Sequence, residues 1–274
     1  MPSIETQALV LETREYRETS MLATLLTPNQ GRIGSVAKGA RKGKTALAPI
    51  LQPFSLLNVR LSVREPGGGL ANLVAADLVE RPAYACPGAM GDSLARIAYA
   101  GLFAEVLSTT GENDPHSDAL FALARTLFSG LGKARHPGSF AVSGVFALIE
   151  SLGYAPALDD VQDELTEEKN SPKTQARDAW VFDLLNGTLL RRSRSTSVAA
   201  NALFPLSGES ARALYATLDS LHAEPEPLSS DACIILSRRI GTELLRLGIR
   251  ILETQLERPL HSERYLEEMV LRPS

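Results

Sequence analysis

Residues 31–54, GRIGSVAKGARKGKTALAPILQPF, run from an apolar stretch through a cationic loop to a proline-marked turn. Arg32–Ala37 alternates partly with period two, the pattern of a half-buried strand. Within residues 38–44 of the loop Lys38-Gly39-Ala40-Arg41-Lys42-Gly43-Lys44-Thr45 there are four cations and two glycines. Glycine lets a backbone bend closely, so the long cationic side chains can reach outward and track phosphates. Gly43-Lys44-Thr45 has the ending of a P-loop, but the first glycine of that motif belongs where Lys38 stands. Pro49 leaves too little room for the helix whose N-terminus would receive the phosphates. The segment is therefore read as a loop between strands and not as a nucleotide site.

The chain on either side supports that reading. Gln7–Thr13 and Met21–Thr27 are rich in Leu, Val and Thr, Pro28-Asn29-Gln30-Gly31 is a turn, and Phe54–Val63 alternates partly. Pro66-Gly67-Gly68-Gly69 marks a hairpin loop, and Leu70–Leu78 is a fifth strand. Five short strands in so few residues predict a small closed barrel, because an open sheet would leave sticky edges. An OB-fold has that strand count. Tyr16 and Phe54 are the barrel's aromatic faces, with Phe54 expected to enter a strand and pack in the core.

Beyond Arg81-Pro82 the period becomes helical. Leu94, Ile97, Ala98, Leu102, Val106 and Leu107 form one apolar series, and Leu120, Leu123, Leu127 and Leu131 another. Phe140–Leu152 is a third helix, stopped by Gly153. Asp159–Arg177 is polar enough for an exposed or mobile connection. Trp180–Leu185 and Thr188–Arg191 flank Asn186-Gly187, a strong hairpin signal. Ser207 opens another helix, Ser230 or Asp231 is expected to cap a long one through Leu247, and Ser262–Leu271 ends the series. The expected class is α+β: a barrel over 1–80, then a mainly helical domain over 81–274 with a small hairpin near 178–192.

The chain has 274 residues and a net charge of −4, which by itself argues against a polyanionic partner. The distribution reverses that argument. Residues 1–80 carry +2 and the remainder −6, while Gly31–Glu65 alone carries +6 through Arg32, Lys38, Arg41, Lys42, Lys44, Arg60 and Arg64 against Glu65. An acidic protein with one basic segment suits a nucleic acid there. Cys86 and Cys233 have no ligand spacing and read as buried thiols of a reducing compartment. No stretch approaches the ~20 apolar residues of a membrane span, and Met1–Thr6 does not begin a signal peptide, so the expected address is cytoplasmic and nucleoid-associated.

Catalytic patterns are scarce. His116, His136, His222 and His261 are scattered and read as surface or capping residues. Asp159, Asp160, Asp163 and Glu164 lack the alternating ligands and glycine of a calcium loop and read as a solvated turn. Arg238-Arg239 is expected in the middle of the long apolar helix, with Arg246 about two turns on. That stripe is either solvated or an anchor for a partner's acidic peptide.

Several short motifs resemble the RecO family: Ala8-Leu9-Val10-Leu11, Glu18-Thr19-Ser20, Gly31-Arg32, Val36-Ala37-Lys38-Gly39-Ala40-Arg41 and Leu51-Gln52-Pro53-Phe54 follow at the family's spacing. Weaker echoes are Leu152-Gly153-Tyr154, the Arg238-Arg239 helix and Pro259-Leu260-His261-Ser262. The resemblance implies an N-terminal OB-fold, a helical C-terminal domain, binding to single- and double-stranded DNA, strand annealing, and RecA loading with RecR. It also implies contact with the acidic C-terminal tail of single-stranded-DNA-binding protein, and a RecF-like protein as an optional further partner. Carried over, Lys38, Arg41, Lys42 and Lys44 would contact phosphates, Arg14 and Arg32 would add to them, and Arg238 and Arg239 would meet the tail. Some relatives have a four-cysteine zinc site after Leu-Gly-Tyr; here Asp159-Asp160 stands instead, so no zinc or other cofactor is expected. Ser143-Gly144-Val145 replaces an Arg-Phe-Glu run of many relatives. Two other readings stay open: a protein-only adaptor whose barrel does not touch DNA, and an NTPase or nuclease built on Lys44 or Asp160.

Overall fold

Five strands form at the N-terminus: β1 (Ser3–Tyr16), β2 (Ser20–Thr27), β3 (Gly31–Ala37), β4 (Leu56–Ser62) and β5 (Ala71–Glu80). The computed structural model describes residues 3–42, 47–62, 69–86, 92–109, 116–158, 161, 164–165, 180–194, 199–223, 228 and 233–271. The strands close a barrel in the order β1-β2-β3-β5-β4, with β4 pairing back onto β1, and the architecture is an OB-fold. Closure depends on the length of β1. Ser3–Leu9 pairs with β4, Leu9–Tyr16 pairs with β2, and a bulge between Val10 and Glu12 bends the strand from one partner to the other. The bulge explains why Ala8, Leu9, Val10 and Leu11 are buried in succession where strict alternation would expose every second residue. Both ends of β1 are polar outside yet paired in backbone, so apolar content alone underestimated the strand. Met21, Ala23, Leu25, Leu57, Val59 and Leu61 fill the interior.

Phe54 departs from its expectation. It stands before β4 at φ 69, in the left-handed region, with its amide bonded to Val10 O at 2.8 Å. Its ring lies 5.4 Å from Phe128 and 6.3 Å from Tyr84, so it packs on helical residues instead of entering the sheet.

The helical elements are α1 (Ser93–Leu107), α2 (Ser117–Lys133), α3 (Pro137–Ser151), α4 (Gly208–Ala223), α5 (Arg238–Gln255) and a last short α6 (Ser262–Leu266) that continues as a π turn, Glu267–Leu271. The chain divides into two compact units, residues 1–132 with 264–274, and residues 133–263. In the first, the barrel is packed with α1 and α2. Ser117 Oγ donates to Pro28 O at 2.6 Å, Tyr84 Oη donates to Phe128 O at 3.1 Å, and Arg96 bonds both Asp92 and Leu131 O. Two expected core positions of α1 face water, Leu94 at 62% exposed and Ile97 at 39%, whereas the buried apolar residues of the helix begin at Ala98. Cys86 is likewise exposed rather than buried, and Cys233 is only half-buried.

In the second unit α3 is buried from Ser139 to Ile149 and packs on α5. Gly248 permits that approach, since a Cβ there would lie 2.5 Å from Val145 Cγ1. A three-stranded sheet orders β7 (Thr188–Arg191), β6 (Trp180–Asp183) and β8 (Leu203–Leu206). The hairpin signal is confirmed: Gly187 has φ 67, and buried Asp183 accepts from the amides of Leu185 and Asn186. β8 escaped the sequence reading because it is short and contains Pro205, which an edge strand tolerates. Of the connection 159–177 only Val161, Glu164 and Leu165 are described; Val161 and Leu165 are buried, which is not the exposed character expected of them.

Candidate nucleic-acid interface

The described arms of the loop that leaves β3, residues 38–42 and 47–51, are built into the barrel. Ala40 and Leu51 are buried in the barrel core, with Leu47, Ala48 and Ile50 packed against it. Gly39 adopts φ 69, which lets Lys42 N reach Gly39 O at 2.9 Å in a tight turn. Arg41 N then bonds Thr19 O at 3.0 Å and Ala48 N bonds Ala40 O at 3.0 Å, so the loop is stitched to the β1–β2 turn and to its own return arm.

Two arginines fix its shoulders. Arg41 donates to Arg17 O at 3.1 Å and Glu18 O at 2.6 Å and pairs with Glu15 at 2.5 Å. Arg81, just past β5, donates to Ser55 Oγ at 2.9 Å, Pro49 O at 2.7 Å and Ile50 O at 3.3 Å. Such fork-shaped donation to several carbonyls suits guanidinium and would not suit an ammonium.

Among the described residues the loop presents a pair of lysines. Lys38 and Lys42 are exposed, and among the described residues neither pairs with a carboxylate. Arg14 is exposed on the outer face of β1, opposite Leu22, and it too pairs with none there. Arg32 sits half-buried on β3 opposite Leu26. Arg60 is engaged by Glu5 at 3.2 Å. Lys44, together with the rest of Gly43-Lys44-Thr45, lies outside the described residues. The sequence reading overlooked Arg17, whose exposed guanidinium stands 5.1 Å from the centroid of the Tyr16 ring. The signal that could have found it was the turn Tyr16-Arg17-Glu18, adjacent in space to the loop because β2, which follows that turn, pairs antiparallel with β3, from which the loop leaves.

In the second unit the expectation for Arg238 and Arg239 is corrected. α5 starts at Arg238, capped by Ser237, whose Oγ accepts from Ile240 N, so the two arginines occupy the first turn and not the middle. Ser230 and Asp231 lie outside the described residues. Arg239 pairs with Glu209 in the first turn of α4. Cations at a helix N-terminus oppose the macrodipole, so an anion near them is favoured twice over.

The remaining acidic and thiol groups have local roles. Glu164 accepts from Arg191 Nε at 3.3 Å, while the Arg191 guanidinium lies 4.0 Å over the Trp180 ring. Asp159, Asp160 and Asp163 are outside the described residues. His222 pairs with Glu150 at 2.6 Å, and all four histidines are exposed. Burial pushes the Cys233 thiol up from its ordinary range, partly offset by a hydrogen bond with Ser143. Among the described residues no group of three or more His, Cys, Asp or Glu is placed to hold a metal.

Comparison with known proteins gives the family of the barrel. Residues 1–82 match the family described as Recombination protein O N terminal. A DNA repair protein RecO of Geobacter sulfurreducens is 30% identical over 251 residues, covering 90% of this chain and 95% of that protein. The chain belongs to the RecO family. The RecO of Geobacter metallireducens is 33% identical over 159 residues, covering 58% of this chain and 62% of its own length. That of Methylococcus capsulatus is 53% identical over 66 residues, covering 24% of this chain and 26% of its own. The chain spans about three fifths of the length of several RecO relatives it matches, at 62%, 60% and 61%. No helix among the described residues is long and apolar enough to cross a membrane.

Proposed function

We propose that this chain is a DNA repair and recombination mediator that acts by binding rather than by catalysis. The end of its barrel grips single- and double-stranded DNA through phosphates, anneals complementary strands and, with RecR, helps to load RecA on strands coated by single-stranded-DNA-binding protein. The observation that carries the reading is the presentation of Lys38 and Lys42 on a loop whose backbone is already fixed at both shoulders. A preorganised cationic loop loses little conformational freedom when it meets a polyanion, so its charges contribute fully to binding. Arg14 and Arg32 extend the contact along the barrel wall, with Lys44 as a further member. Arg41 is assigned the supporting role of holding both lysines toward the strand, although its charge adds to the same field.

The first turn of α5 is proposed as the seat of the acidic tail of the single-stranded-DNA-binding protein. Arg238, Arg239 and the helix dipole all favour a carboxylate there. In this reading the DNA-binding module is the barrel of residues 1–80 and the partner-binding module is the helical remainder, with a RecF-like protein as a third party.

The test is a fluorescence annealing assay with complementary strands coated by their binding protein. Wild type should accelerate annealing, and a Lys38→Glu/Lys42→Glu variant of unchanged melting temperature should not. Equal annealing by both proteins would defeat the proposal, and annealing lost only on coated strands would move the function to the helical unit.

A further inference from the structure

Of the two aromatic residues of the first 80 positions, half-buried Tyr16 stands at the loop end with Arg17 against its ring. The other, Phe54, is taken up by Tyr84 and Phe128. Tyr16 and Arg14 lie two residues apart on β1 and therefore share the outer face of that strand. The next residue, Arg17, adopts φ 54, a left-handed conformation that a non-glycine residue rarely takes. Three contacts hold that turn in place: Arg41 donates from its side chain to Arg17 O and Glu18 O and from its backbone to Thr19 O. The outcome of the strained turn is that the Arg17 guanidinium lies 5.1 Å from the centroid of the Tyr16 ring.

We infer that Tyr16 and Arg17 form a stacking ledge for one unpaired base, which makes this end of the barrel favour single-stranded over duplex nucleic acid. The inference rests on the nucleic-acid reading of the same barrel end and adds to it the form of the substrate. A guanidinium plane and a phenol ring are both flat, polarisable surfaces on which any base can lie, irrespective of sequence. Phosphates on either side of a base held there fall to Lys38, Lys42 and Arg14. A base inside a duplex has both faces covered by its neighbours and cannot use the ledge, whereas the phosphates of a duplex remain open to the lysines. The cations thus set affinity for any strand, and the ledge adds affinity for an unpaired one.

The experiment measures binding of the full chain to three fluorescent probes: an oligothymidine, an abasic strand of the same length and charge, and a duplex. Tyr16→Leu should weaken oligothymidine binding about tenfold, as loss of one base stack does, and leave the abasic strand and the duplex unchanged. Tyr16→Phe should restore most of the loss, because the ring and not the hydroxyl does the stacking. Equal loss on the abasic strand, or none on oligothymidine, would overturn the ledge while leaving the phosphate grip intact. A wild-type protein that binds no probe would overturn both. As a check independent of the variants' folding, wild type should photocrosslink to a 5-iodouracil strand at Tyr16 or Arg17, and a crosslink confined to other residues would contradict the inference.

Discussion

Two cation pairs of this protein look alike in sequence and differ in what holds them. Lys38 and Lys42 flank Arg41 on a loop whose amides and carbonyls are bonded into the barrel, so their position follows from backbone geometry. Arg238 and Arg239 open α5, and their position follows from a single serine cap and from how α5 packs on α3. The lesson is that a basic cluster becomes a binding feature when its main chain is fixed independently of the charges themselves. In the first region the fixing is done by turns and by arginine forks, in the second by helix packing. Each can be broken separately.

Charge reversal at Lys38 and Lys42 should have the largest effect, a loss of DNA affinity on the order of a hundredfold at low salt with an unchanged melting temperature. Fluorescence anisotropy beside a thermal melt checks both halves. Next, Gly248→Ala should destabilise the protein by about 1–3 kcal/mol, because the new methyl meets Val145 Cγ1 at 2.5 Å. Denaturant melts should show the loss, and Val145→Ala in the same chain should recover part of it. Ser237→Ala should cost about 1 kcal/mol by leaving the α5 amides without their cap, while leaving DNA binding alone. A drop in DNA affinity from this change would erase the distinction between the two regions.

Ion pairs at the surface come last. Glu209→Gln removes the exposed partner of Arg239 and should shift stability by less than about 1 kcal/mol. Asp92 offers the matching case in the barrel's unit. A hydrogen bond from the Arg96 side chain, more than any other cause, holds its carboxyl below the usual range. A lowered folded value means that the contribution is present above the unfolded pKa and fades as the pH falls through the folded one. Asp92→Asn should therefore lower stability at neutral pH, with the difference from wild type closing as the pH falls through the acid range, and a difference that persisted in full in strong acid would show the sign to be wrong.

Much of the barrel was legible because Pro28-Asn29, Gly39, Pro66-Gly67 and Pro82 follow β2, β3, β4 and β5 closely and the interior residues are aliphatic, whereas β1 turns through Arg17-Glu18-Thr19 without such a residue. The location of the basic loop was legible for the same reason. Its anchoring was not, since Arg41 and Arg81 bond main-chain carbonyls that any sequence would supply. Phe54 was misplaced because Leu-Gln-Pro-Phe resembles a strand entrance, whereas the residue turns at positive φ to reach Phe128. The start of α5 was misread because Cys233-Ile234-Ile235-Leu236 extends the apolar period upstream of the cap. There Leu236 N instead bonds Ser139 Oγ at 3.0 Å and Ile235 is 70% exposed. Leu94 and Ile97 show the same ambiguity at the start of α1, where periodicity continues past the buried face.

The central claim is that Lys38 and Lys42 meet phosphates directly, and its most direct measurement is the salt dependence of single-strand binding. Each lysine removed by Lys38→Ala/Lys42→Ala should take away about 0.7 from the log–log slope, so the slope of the double variant should be shallower by roughly 1.4. An identical slope in wild type and variant would mean that no counterions are released at the loop, and the account of this barrel as a phosphate grip would be contradicted.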